Sequence, residues 1–219
     1  MTEILLDSAE NTPRNHQTEL VFKVISWSKR ASDARRLAKD IGCPDDGGVF
    51  IHPLETETGR DLINMAELEA ELAKWHLLTK SNNLSSKARK ATPEARKAMS
   101  ENDMLYLRQS VHMLVSLPEG YTSHALQLQL AVHDYLVDTI GEAGHRYYFS
   151  LHTHDSRPHV HIVAQVRSKA DGGRQPRQLN FSPSDFDAIR LDIVRRLQEV
   201  GVSITATRCT ERPSTAIAP

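Results

Sequence analysis

Residues 145–167, HRYYFSLHTHDSRPHVHIVAQVR, constrain the fold more than any other stretch of the chain. Two runs rich in β-branched and aromatic residues flank a polar turn from Thr153 to Pro158, the pattern of a β-hairpin. A hairpin is antiparallel, so a sheet built around it is not the all-parallel kind made by βαβ units. Further strands are expected at 19–27, with Leu20, Phe22 and Val24 on one face, and at 105–118. VFIHPLETETGRD reads as a strand or a hairpin remnant. Helical spacing marks ASDARRLAKDIG (capped by Ser32, stopped at Gly42), 62–80 (Met65, Leu68, Leu72, Trp75) and 122–144 (Leu128, Val132, Tyr135, Leu136, Ile140). The last helix starts at a capping box, Ser182-Pro183-Ser184-Asp185, and carries Phe186, Ile189, Ile193 and Leu197. The expected fold is an α+β domain, an antiparallel sheet with helices packed mainly on one face.

The hairpin also concentrates chemistry. If the strands pair symmetrically about the turn, His152 faces His159 and Ser150 faces His161. Residues two apart on a strand share a face, so His159 and His161 point the same way and His152 joins them. Three converging imidazoles suit a divalent metal with open coordination positions. A one-residue slip would scatter them. His154 has the parity of His152 and is open to three roles: fourth ligand, base or turn residue. Asp155 is a candidate to orient a ligand histidine through its outer N–H.

Composition narrows the remaining classes. Among 219 residues, 27 Lys+Arg against 28 Asp+Glu leave a formal charge of −1, so any affinity for nucleic acid must come from local clusters. Such clusters occur at Lys23, Lys29–Arg30, Arg35–Arg36, Lys87–Lys97, Arg167–Arg177 and Arg208–Arg212. Two cysteines make no disulfide framework. No apolar run is long enough to span a bilayer and the start is polar rather than signal-like, so a cytoplasmic protein is expected. Residues 1–18 read as a disordered lead, 19–205 as one domain, and 206–219 as a flexible tail.

The hairpin resembles the metal-binding motif of DNA relaxases, the HUH-type single-strand endonucleases of conjugative plasmids and T-DNA transfer. His152, His159 and His161 occupy the three ligand positions of that motif, with Pro158 in place. Arg157 stands where the family's run begins with His, and His154 stands where it has Asp. The resemblance extends to VFKVISW (21–27), GRDL (59–62), SVHMLVSLPEG (110–120, with His112), HRYYFSLH and TRCTER (207–212). It implies a five-stranded antiparallel sheet. It also implies a divalent metal (Mn or Mg foremost, with Zn, Ni or Co as alternatives) and single-stranded DNA at a transfer origin as substrate. Other transfer or relaxosome proteins are implied as partners. Lys23, Arg30, Arg35, Arg146 and Arg208 are the candidate DNA contacts.

The resemblance implies nicking by transesterification, in which a tyrosine hydroxyl attacks the scissile phosphate and stays joined to the DNA 5′ end. In the context Leu37-Ala38-Lys39-Asp40-Ile41, Asp40 occupies that tyrosine's position, and no Tyr precedes Tyr106. A carboxylate is a poor replacement, because a phosphodiester repels it. Four readings stay open. Tyr106, Tyr147 or Tyr148 is repositioned; a histidine such as His52 attacks; the chain is a degenerate relaxase that binds DNA as an accessory protein; or it is an unrelated three-histidine metal-dependent hydrolase or oxygenase.

Overall fold

The computed structural model describes residues 19–29, 31–75, 108–168 and 177–206. Arg30, the Lys87–Lys97 cluster, Tyr106, Arg208 and the two expected terminal segments fall outside them, apart from Ala206. The chain runs β1 (Val21–Ser28), α1 (Ala31–Gly42), β2 (Val49–Thr56), β3 (Asp61–Asn64), α2 (Met65–Lys74), β4 (Ser110–Ser116), α3 (Ala125–Tyr135), β5 (Tyr147–His152), β6 (His159–Gln165) and α4 (Pro183–Glu199). A π-helical turn, Leu136–Gly141, extends α3.

The α+β architecture and antiparallel sheet are those expected, with six strands among the described residues rather than five. Their spatial order is β1-β4-β6-β5-β2-β3, with every neighbouring pair antiparallel. The second strand of the β2–β3 hairpin takes only Asp61 from VFIHPLETETGRD; Leu62–Asn64 come from the start of the expected 62–80 helix, which begins instead at Met65, and the chain turns back at Thr56-Glu57-Thr58-Gly59. The Gly59 N–H donates to the Thr56 carbonyl, and Gly59 has φ +69°.

Side-chain parity splits the sheet into two faces. Val111, Met113 and Val115 of β4, Tyr147 and Phe149 of β5, and Val160, Ile162 and Ala164 of β6 point to one of them. Leu128, Val132 and Leu136 of the α3 segment cover this face together with Ile189, Ile193 and Leu197 of α4. On the other face, Leu54, Tyr148 and Val163 meet Ala38 and Ile41 of α1 and Leu68 of α2, with Trp75 just beyond it. The helices therefore divide between both faces. α3 and α4 take the larger core, and α1 and α2 take a smaller one that stops at Tyr148 and Val163. Beyond these residues on that second face lie His152, His159 and His161.

α1 ends differently from the sequence expectation, and the difference positions the site. Gly42 is not the left-handed stop; that role falls to Cys43, at φ +46°. Glycine is needed at 42 because Phe50 of β2 presses on it, and a Cβ there would lie 2.5 Å from the Phe50 ring. Ser32 lies inside α1 rather than preceding it. The close contact seats the end of α1 on β2 and fixes where the Ile41 carbonyl sits. Gly42→Ala is expected to push α1 off the sheet and destabilise the protein by about 1–3 kcal/mol, as overpacked sites do. Thermal or denaturant unfolding measures this, and an unchanged midpoint would contradict the packing described.

Candidate metal centre

The β5–β6 register pairs His152 with His159 and Ser150 with His161, as the symmetric hairpin required. Ring centroids are 5.2 Å apart for His152–His159, 4.8 Å for His152–His161 and 5.0 Å for His159–His161. Imidazoles sharing one tetrahedral ion at about 2 Å would place their ring centres about 5 Å apart, so the spacing fits. One donor nitrogen from each lies within 4.8 Å of the others. The donor set therefore suits a divalent transition metal.

The other ring nitrogens are also accounted for. His152 Nε2 lies 2.9 Å from the Ile41 carbonyl at the end of α1 and donates to it. His159 Nδ1 donates to the Arg157 carbonyl at 3.0 Å. His161 Nδ1 lies 2.9 Å from Nε2 of His112 on β4. For His161 to keep Nε2 free as a ligand, its Nδ1–H must donate to His112, which leaves the His112 proton on Nδ1. This is the usual way outer hydrogen bonds fix the tautomer and direction of a ligating imidazole. Burial, followed by the neighbouring histidines, holds His152 down to about 4 and His161 down to about 3. Both are therefore neutral at pH 7, the form that binds metal.

Two more histidines adjoin the set. His52 stacks on His152 at 4.2 Å, and His154 lies 5.4 Å from His152 and 5.9 Å from His159. His154 is more than half exposed in the turn, 3.5 Å from Asp155. Asp155 thus faces His154, and the outer-nitrogen partners of the three hairpin histidines are two backbone carbonyls and His112. The hairpin pattern did not reveal His52 or the pairing of His112. Continuing the Glu55–Phe149 pairing three residues outward brings His52 opposite His152, a relation visible only once β2 is known to neighbour β5.

The remaining candidates divide. Asp40 is exposed on α1, next in sequence to Ile41, whose carbonyl His152 engages; burial holds His112 below the usual imidazole range, and the Asp40 charge partly offsets this. Lys23 is exposed on β1 and is registered with Leu114, itself paired with His161; all three share the histidine face. Arg35 instead pairs with Glu69 of α2. Arg146 binds Glu57 at 2.8 Å and Glu71 at 3.0 Å, at the opposite end of β5. Arg146 shares the buried Glu71 carboxylate with Lys74, which lies 2.8 Å from it, and its guanidinium is thus engaged in ion pairs away from the histidines.

The tyrosines on β5 are also spoken for. Tyr147 points into the core on the other face, where burial pushes its hydroxyl up to about 12. Tyr148 is fully buried and donates to the Ala34 carbonyl at 2.9 Å. Both side chains are thus packed into the two cores, away from the three histidines.

Residues 65–190 match the family described as the MobA/VirD2-like relaxase nuclease domain, and the chain belongs to that family. The matched region contains β4, β5 and β6 and begins after Asp40. Among solved structures, similarity is found to the conjugative relaxase TrwC in complex with OriT DNA. The metal-free form is 13% identical, covering 87% of this chain and 72% of that one with a TM-score of 0.44. The metal-bound form is 15% identical, covering 83% and 70% with a TM-score of 0.40. No curated protein matches. No helix among the described residues is long and apolar enough to cross a membrane.

The His112–His161 contact yields a prediction. His112→Leu removes the acceptor that orients His161 and is expected to weaken metal binding by about 10–100-fold, while His112→Asn retains part of it. Chelator competition on the folded variants checks this, and equal affinities for all three proteins would remove His112 from the centre.

Proposed function

We propose that this relaxase-family chain holds a divalent metal through His152, His159 and His161 and binds single-stranded DNA at a transfer origin across the same face of the sheet. The observation that carries the reading is the convergence of the three imidazoles, each with its outer nitrogen engaged. All three donors are nitrogen, which favours later first-row ions such as Zn, Co or Ni over Mg, whose preference is for oxygen. When bound, such an ion would act as a Lewis acid on a phosphate oxygen. The chain's own residues orient the site: the end of α1 fixes His152, β4 fixes His161, and the Arg157 carbonyl fixes His159. Lys23 contributes positive charge on the same face, where it would attract a phosphate backbone. Site-specific strand nicking by transesterification is the activity proposed with this arrangement.

A second reading, a degenerate relaxase acting as a DNA-binding accessory protein, is favoured by two observations. Asp40 stands at the expected nucleophile position, and Tyr147 and Tyr148 are packed away from the metal centre.

Labelled single-stranded oligonucleotides carrying a transfer origin, incubated with the chain and Mn²⁺, Mg²⁺, Co²⁺ or Zn²⁺, separate the two. Metal-dependent cleavage lost in His159→Ala establishes the nuclease. Salt-sensitive binding without cleavage establishes the accessory role. Tyr147→Phe and Tyr148→Phe are expected to leave any cleavage unchanged. Absence of both DNA binding and metal uptake would overturn the proposal.

A further inference from the structure

β2 carries an imidazole where its neighbours are apolar. His52 takes the inward-facing slot between Phe50 and Leu54, both buried in the smaller core. Neither of its ring nitrogens has a hydrogen-bond partner among the described residues; its contacts are the His152 and His154 rings. His52 is half-buried, and packing gives its two nitrogens no role, so both stay open to solvent or to a ligand. The neighbours it does have are metal-ligating side chains. One donor nitrogen from each of His52, His152 and His154 lies within 4.8 Å of the others, the same tolerance met by the first set. The rings are 4.2 Å (His52–His152), 5.4 Å (His152–His154) and 5.7 Å (His52–His154) apart. Because the His52 and His152 rings are stacked, convergence on one ion requires the His52 ring to turn about its side-chain bonds as well as His154 to swing in its exposed turn.

We propose that His52, His152 and His154 form a second position for a divalent transition-metal ion, alternative to the one formed by His152, His159 and His161. The two positions cannot be filled together. His152 belongs to both, and with Nε2 committed to the Ile41 carbonyl it has one nitrogen to offer. The chain therefore binds a single ion that has two places to sit, on either side of His152. The proposal rests on metal binding at the hairpin only through this shared residue.

Co²⁺ titration of the full chain, followed by its visible absorption and by chelator competition, tests both positions. The unmodified chain is expected to bind one equivalent. The His159→Ala/His161→Ala variant is expected still to bind one equivalent, with an altered spectrum and weaker affinity, and to lose it entirely when His52→Ala is added. If the alanine pair does not fold by circular dichroism, His159→Asn/His161→Asn replaces it. A folded double variant that binds no Co²⁺, binding that survives His52→Ala/His154→Ala in that background, or two equivalents in the unmodified chain would each overturn the second position. Failure of the hairpin site is distinguishable: in that case His52→Ala/His154→Ala alone abolishes binding, whereas His159→Ala/His161→Ala leaves it intact.

Discussion

The pairing of His152 with His159 is the contact on which the site depends. Side chains alternate with period two along a strand, so a slip of one residue would send the hairpin's histidines and its core residues to opposite faces together. The slip is prevented by the apolar partners in the same strands. Val160, Ile162 and Ala164 are buried under α3 and α4, and turning them outward would expose most of the larger core. The hydrophobic effect on one face thus holds the geometry of a polar site on the other.

Crowding imidazoles at the edge of a core has an electrostatic consequence. Burial and mutual repulsion both disfavour protonation, so the hairpin histidines His152 and His161 stay neutral. Their remaining hydrogen-bonding capacity still has to be met. The end of α1 does this for His152, because the last carbonyls of a helix have no partner within it and carry partial negative charge. That in turn depends on Gly42, whose missing side chain lets Phe50 approach and sets the helix end in place. Metal-ligand geometry and helix packing are in this way a single arrangement.

Much of this was legible in sequence. The helices at 125–135 and 183–199 and their buried stripes follow from apolar spacing, and the three-histidine convergence follows from the turn and the parity rule. The roles of the charged residues were not legible. Arg146 and Arg35 look like any other cations of a DNA-binding face, but each meets a carboxylate from a distant segment, Glu71 and Glu57 for one and Glu69 for the other. Tyr147 and Tyr148 are adjacent in sequence yet serve opposite faces, which strand parity predicts; that the Tyr148 hydroxyl is consumed by Ala34 it does not.

By itself the sequence determined the hairpin, its register, and the set of three imidazoles, because these rest on short-range rules of alternation and turn geometry. Tertiary structure alone decided what surrounds them. The strand order places β2 beside β5 and β4 beside β6, and so brings His52 against His152 and His112 against His161. Strand order is set by the burial of whole faces, a sum over many residues that no local pattern encodes.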